Sequence, residues 1–412
     1  MDRNILENKQ DQINKKNRSE FKYGFIILRT DKFSSVFNFL GKKKLVKKTS
    51  WISLVVMPII AAIGVFFLLL TLTALISSPD IREAGRDTGP QALLLIPGIN
   101  PYLPIIYGWI GIVIGIVAHE GAHGVIAKSL GFEVKSSGLL FFLILPIGAF
   151  VEVDDSKMKE SRARESLRVL SAGPTINVII GMISLLGIFL IVLGLSPAVN
   201  GLTVIDTMEG MPAQESGIMV NEIIVKVNDI EMNNVSDLSQ ILNEKRSEVI
   251  EVTILNIERW EERTIKMRLR DNEDIKMGIT IAPVKSMLTD NLENYKKAFK
   301  TFPIIHFMPP TFPIGQTIHP YSEGLRGYYT HSELNDLYLP IANTLYWIWF
   351  ININLAVFNS LPIYPLDGGQ SLNYLIQKGA PNRIRIHSES ITRFITLMLV
   401  ISIIGTIIIP YL

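Results

Sequence analysis

Residues Ile105–Leu130 read IIYGWIGIVIGIVAHEGAHGVIAKSL, and two properties of this stretch decide what kind of molecule it belongs to. It is an apolar run long enough, at about 1.5 Å per residue, to cross a hydrocarbon layer of roughly 30 Å. Within it lie His119, Glu120 and His123, ionisable groups that are expensive at that depth and mark a functional site by default. Their HExxH spacing has a mechanical reason. Positions i and i+4 share one face of a helix, so both imidazoles can reach one zinc ion while the intervening glutamate stands beside the activated water. Zinc would polarise that water and the scissile carbonyl, with Glu120 moving the proton to the leaving amine. The same pattern also occurs as ordinary core or surface residues, a reading weakened here by three ionisable groups in one apolar span.

The rest of the chain fits a membrane body with a water-exposed domain. Of 412 residues, 48% are hydrophobic and 19% charged, against roughly 25% charged in an ordinary soluble domain. The net charge is only +2, but lysines crowd the first fifty residues, which argues for a membrane flank and against nucleic-acid binding. With no cysteine, disulfides, cysteine nucleophiles and cysteine-held metals are excluded, so a metal must rest on His, Asp or Glu.

Five apolar stretches are expected to span the membrane: Trp51–Ser77, Ile105–Leu130, Leu167–Leu195, Leu339–Leu361 and Ile391–Leu412. The lysines Lys42, Lys43, Lys44, Lys47 and Lys48 place the amino end in the cytosol and the carboxyl end outside. Gly138–Val151 is apolar but only about 14 residues long and broken by Pro146 and Gly148, which suits a re-entrant hairpin. Short alternating strands, such as Ile223, Val225 and Val227 or Val249 to Leu255, mark a small external domain. The expected fold is therefore a polytopic α-helical membrane protein of five or six transmembrane helices, with a re-entrant β-hairpin and an inserted external α+β domain. Its expected divisions are 1–50, a cytosolic basic arm in which Phe25, Ile26, Ile27 and Leu28 form a short strand or surface segment; 51–197, the first part of the membrane core; 198–285, the external domain; 286–338, an external insert; and 339–412, the second part of the core.

A catalytic zinc usually has three protein ligands and an open position. Without cysteine the best third candidate is Asp367, in Asn359-Ser360-Leu361-Pro362-Ile363-Tyr364-Pro365-Leu366-Asp367-Gly368-Gly369. Two prolines break the fourth span there and two glycines permit close backbone approach, a combination suited to lining a cavity. The competing reading has Asp367 capping the next helix among ordinary turn residues.

HExxH in one span, a later N-x-x-P-x-x-x-x-D-G-G element and an interrupted membrane body together resemble the site-2 protease family of intramembrane zinc metalloproteases. The resemblance implies His119, His123 and Asp367 as ligands of one Zn2+ per chain and Glu120 as the catalytic base. Asn359 would help hold the substrate or transition state. Gly173, Pro174 and Asn177 look like the family's G-P-x-x-N element, polar packing near the site or helix packing alone. Pro146 to Val151 resembles the loop after the metal helix, with Ala149 where a second glycine is usual. The family reading makes Gly148, Ala149 and Phe150 part of an edge strand that pairs with an unwound substrate helix, as strand addition requires.

Met211-Pro212-Ala213, Ser216-Gly217-Ile218 and the strand from Asn221 to Asn228 make the external domain resemble a PDZ module, either docking peptide or acting as a size-limiting cap. The irregular spacing of His306, His319 and His331 argues against a second metal site and for unrelated surface or packing residues. The expected partners are transmembrane protein substrates, already trimmed outside, in the lipid bilayer of a prokaryotic cell. An inactive membrane chaperone or scaffold and a metal transporter remain as alternatives; the intact motif opposes the first, and the lack of a charged path through several spans opposes the second.

Overall fold

The computed structural model describes residues 19–22, 25–30, 33–142, 145–244, 248–256, 259–270, 277–301 and 303–412. The first part of the basic arm and the 143–144 tip of the expected hairpin lie outside the described residues. Among those described, five helices are long and apolar enough to cross a membrane: Ser53–Ser77, Ile105–Ser129, Ala172–Leu193, Asn335–Ser360 and Ser388–Tyr411. They match the five expected stretches, since a helix is the local structure that satisfies its own backbone groups in an apolar run. The third begins later than its hydropathy implies, because Ser171 separates it from a preceding short helix.

The helices include α1 (Phe33–Gly41), α2 (Lys44–Thr49), α3 (Ser53–Ser77), α4 (Ile105–Ser129), α5 (Ala163–Leu170), α6 (Ala172–Leu193), α7 (Val235–Glu244), α8 (Val284–Thr301), α9 (Tyr338–Ser360), α10 (Asp367–Gly379) and α11 (Ser388–Ile408). The chain divides into two compact units, one reaching to Leu185 and resuming at Thr344–Leu412, the other Leu186–Asn343.

In the first unit α9 is the most enclosed span, with 50% of its apolar window buried against 11% for the first and last spans. Its neighbours approach through glycines. A Cβ at Gly115 of α4 would come 2.6 Å from Leu355, one at Gly181 of α6 2.9 Å from Ile353, and one at Gly64 of α3 2.8 Å from Val357. Small residues at such contacts let spans pack closely where no hydrophobic drive exists between helices in lipid.

The amino-terminal segment is more structured than an arm. Strands β1 (Ser19–Lys22) and β2 (Phe25–Thr30) extend the hairpin formed by β3 (Val134–Phe142) and β4 (Leu145–Val153) into a four-stranded antiparallel sheet of order β1-β2-β3-β4. Gly138 is required there, because a Cβ would meet Leu28 O at 2.3 Å and the Phe150 ring at 2.6 Å. The Arg29 guanidinium covers that ring at 5.2 Å. With β2 on β3, only β4 faces outward at that side of the sheet.

The second unit holds a two-stranded ribbon of β5 (Leu195–Pro197) and β12 (Tyr329–His331), and an antiparallel sheet of β6 (Leu202–Thr207), β7 (Ile223–Val227), β8 (Ile230–Glu231), β9 (Val249–Asn256), β10 (Glu261–Arg268) and β11 (Ile279–Pro283), in the order β10-β9-β7-β6-β11 with β8 on β7. Its core joins Val204, Ile224, Val252 and Ile254 to Leu238 and Ile241 of α7. The expected alternation at Ile223, Val225 and Val227 is broken: Ile223, Ile224 and Val227 are buried and Val225 is half-buried. The register against β9 shifts between Ile224 and Lys226, and such an irregularity turns consecutive residues toward one face. The insert expected from residue 286 starts inside α8.

Two of the insert's histidines are not unrelated. His306 and His319 are both fully buried around the Tyr295 hydroxyl, which lies 3.3 Å from His306 Nδ1, 3.2 Å from His319 Nδ1 and 3.1 Å from the Tyr321 hydroxyl. His319 Nε2 donates to Met308 O at 2.8 Å, so a neutral ring accepts at Nδ1 and Tyr295 donates to it. His331 stands apart, its Nδ1 accepting from the Glu333 and Leu334 amides. Burial, aided by the charge of neighbouring His319, pushes His306 down to about 4, and burial pushes His319 down to about 4 as well. In the unfolded chain both titrate near about 6.5. Between those values the unfolded state binds more protons, so stability is full above the window and falls as pH drops through it. Hydrogen exchange corrected for intrinsic rates is expected to accelerate in α8 and in residues 303–331 between about pH 7 and 4.5, with β9 and β10 little changed. A replacement of both histidines by Phe should flatten that pH response.

Candidate active site

The apolar register of α4 puts His119 and His123 on one face, both buried, with ring centroids 4.9 Å apart. Asp367 opens α10 just after the break that follows α9, and its Oδ2 lies 3.0 Å from His119 Nε2 and 3.2 Å from His123 Nε2. The carboxylate is therefore directed at the imidazoles. The N-cap position belongs to Leu366, and an anion in the first turn is also favoured by the helix dipole. Burial works to raise the Asp367 carboxyl, and the two imidazoles, when protonated, outweigh it and hold it well below the usual carboxylate range. The two following glycines make this approach possible. A Cβ at Gly368 would come 2.1 Å from Ser360 O, and one at Gly369 2.4 Å from the Tyr364 nitrogen.

Behind the imidazoles, His123 Nδ1 donates to Val169 O at 2.7 Å. That bond leaves Nε2 of a neutral ring with its lone pair toward Asp367, the orientation a metal ligand needs. His119 Nδ1 faces the Asn177 amide at 3.2 Å. Asn177 is fully buried, and its Oδ1 has no partner among the described residues. Which amide atom faces the ring is an assignment from the hydrogen-bond network. With Oδ1 turned to the ring, Asn177 would accept an Nδ1 proton just as Val169 does.

Ligand atoms of His119, Glu120 and His123 all lie within 4.8 Å of one another. Glu120 is held by a different contact, its Oε2 accepting the Val151 amide of β4 at 3.1 Å. Gly173 leaves the remaining space, since a Cβ there would sit 2.5 Å from Nε2 of both histidines. Two nitrogens and one carboxylate oxygen at these separations suit zinc, whose bonds of about 2.0–2.1 Å put neighbouring ligands roughly 3.3 Å apart in a tetrahedral site.

Not every expected residue joins this group. The Asn359 Nδ2 donates to Leu355 O one turn back in α9, so that amide nitrogen is engaged in its own helix. Gly148, Ala149 and Phe150 lie on β4 opposite Leu140, Leu139 and Gly138. Because Val151 turns its N–H away from β3 to Glu120, alternation along the strand turns the Ala149 N–H and C=O to the same open edge. Val169, and the contact of the Val151 amide, escaped the sequence reading because both act through main-chain atoms, which leave no side-chain signature.

The profile of peptidase family M50 matches residues 107–403 of the chain. An uncharacterized protein of Methanocaldococcus jannaschii is 30% identical over 374 residues, covering 88% of this chain and 80% of its own. A Clostridium perfringens protein whose name proposes a zinc metalloprotease is 26% identical over 291 residues, covering 64% of this chain and 84% of its own. Zinc metalloprotease RasP of Shouchella clausii is 24% identical over 244 residues, covering 56% of this chain and 54% of its own.

A methyl group at residue 173 would occupy the space in front of both imidazoles. Gly173→Ala is accordingly expected to lower zinc per purified chain by about tenfold or more under chelator competition, with the helical circular dichroism unchanged. Zinc retained at the wild-type level would show that the space in front of Nε2 is not where the metal goes.

Proposed function

The chain belongs to peptidase family M50, the site-2 protease family, and is an integral membrane protein; we propose that it is an intramembrane zinc endopeptidase that cuts a peptide bond within or beside a transmembrane helix of another membrane protein. The observation that carries this reading is the convergence of Asp367 on His119 and His123 at 3.0 and 3.2 Å, beside a glutamate tied to the edge of a sheet. His119, His123 and Asp367 would hold the zinc ion, with Val169 and Asn177 keeping the two rings in the ligating tautomer. The ion, when bound, supplies Lewis acidity toward the carbonyl and lowers the pKa of water.

Glu120 has its Oε2 occupied by the Val151 amide, which leaves Oε1 to take a proton from water and return it to the leaving amine. A helix conceals its peptide groups, so a substrate segment must be drawn out before it can be cut. The open edge of β4 supports strand addition by such a segment, with the Ala149 amide and carbonyl as its first pairing groups. Asn359 lies at the end of α9, where its Oδ1 could bear on the substrate. The strand-rich 198–285 segment, with α7 on its core, supports a PDZ-like module on the external side, the amino end being cytosolic by its lysines. Regulated intramembrane proteolysis of trimmed single-span proteins would use these parts together.

The test is cleavage of a single-span reporter in liposomes by wild type and Glu120→Gln, with zinc per chain measured in both. Cleavage by wild type, a loss of about a thousandfold or more in the variant and equal zinc in both are expected for removal of the catalytic base. Zinc bound without turnover across a broad reporter set would point to a scaffold or transporter, and the absence of zinc from folded protein would overturn the ligand assignment.

A further inference from the structure

A cavity of about 740 Å³ adjoins Glu120. One wall is formed by the amino-terminal helices α1 and α2, at Leu40 and Val46; the opposite wall is formed by α4 at Gly121, the β4 edge at Ala149 and α6 at Ile176. A Cβ on Gly121 would meet nothing within 4 Å, so the space reaches the catalytic helix itself. The volume lies within the range of sites that enclose a ligand group.

The amino-terminal wall is clamped at both ends. Phe37 is buried against Gly124, where a Cβ would come within 3.0 Å of the ring. Arg168 of α5 donates through Nε to Ser50 Oγ at 2.9 Å, and also to Lys47 O, and lies over the Trp51 ring at 4.7 Å. The cavity lies between these anchors.

Its lining is almost wholly apolar. Among the described residues Glu120 is the one charged group on it. The hydroxyls of Thr49, Ser50, Ser53 and Ser137 each donate to a main-chain carbonyl. Thr175 lines the cavity from α6, and its buried Oγ1 has no partner among the described residues, the condition of a group awaiting one from a bound chain. A strand added along β4 turns alternate side chains to opposite faces, and one face is this cavity. A polar side chain there would exchange its water for little more than the single Thr175 hydroxyl.

We propose that this cavity is a substrate side-chain pocket that selects a bulky apolar residue, leucine or phenylalanine in class, next to the bond that is cut, and that the amino-terminal helices set the choice. The inference rests on the protease reading above and adds a specificity determinant contributed from before residue 107, where the family match begins. Leu40 is the residue to vary, because it lines the pocket without belonging to the catalytic group.

The full-length protein in liposomes would be given single-span reporters that differ by Leu, Phe, Ala or Asn at each position flanking the cut. Wild type is expected to prefer Leu or Phe over Ala and Asn at one position by about tenfold or more. Leu40→Trp should shift that ratio toward Ala by about tenfold while the Ala reporter is cut near the wild-type rate, and Leu40→Ala should favour Phe over Leu. Ratios unchanged in both variants, as expected for a space filled by lipid, would overturn the pocket while leaving the protease intact. An equal fall for every reporter, with zinc content and thermal unfolding preserved, would overturn it as well. No reporter cut by wild type beyond the Glu120→Gln level would instead remove the protease reading, and the pocket with it.

Discussion

Ionisable side chains placed in an apolar helix must be met by partners, and much of the first unit follows from how His119 and His123 are met. The Asp367 carboxylate reaches both Nε2 atoms, which obliges the chain to leave α9, turn within a few residues and begin α10 against its own turn. That closeness excludes a Cβ at Gly368 and Gly369. On the other side of the rings, Val169 O and the Asn177 amide answer the Nδ1 atoms, so the end of α5 and the start of α6 are held against the same helix. A buried imidazole with only one side satisfied would be costly; here both sides of both rings are engaged. Gly173 completes the arrangement by contributing nothing, since any side chain would enter the space in front of the two nitrogens.

The sheet has a comparable logic. An exposed strand edge can receive an extended segment, yet it also invites unwanted pairing. Here β2 covers β3, and β4 is left at the border of the order β1-β2-β3-β4. Its Val151 amide is fastened to Glu120, so the open edge and the Glu120 carboxylate share one hydrogen bond. The amino-terminal residues thus serve the site twice, as strands that close one side of the sheet and as helices that wall the adjoining cavity.

Much of the membrane body was legible in the sequence. The five spans are long apolar runs with few charges, and the helix is the local structure such runs adopt in lipid. The face shared by His119 and His123 was legible because i and i+4 coincide on any helix, and the break at Pro362 and Pro365 announced irregular backbone where Asp367 emerges. The amino-terminal sheet and helices were less visible. Their segments are short, and β2, besides its neighbour β1, pairs with β3, more than a hundred residues away. The irregularity at Ile224 and Lys226 was hidden for a related reason, because a register shift depends on the neighbouring strand. His306 and His319 looked unconnected in the chain, and only Tyr295, on α8, joins them.

By itself, then, the sequence determined the membrane-spanning helices, the paired imidazoles and the proximity of glycines to an acidic turn. These are consequences of local periodicity, carried by residues within a few positions of one another. Tertiary structure decided that Asp367 serves the imidazoles rather than a helix cap, that Glu120 is anchored to β4, and that β4 has the open edge. It also decided which histidines meet in the insert. His119 and Asp367 are 248 positions apart, and no local pattern encodes their 3.0 Å separation; it arises only when the helices pack through their glycines and every buried polar group has to find a partner in the space that remains.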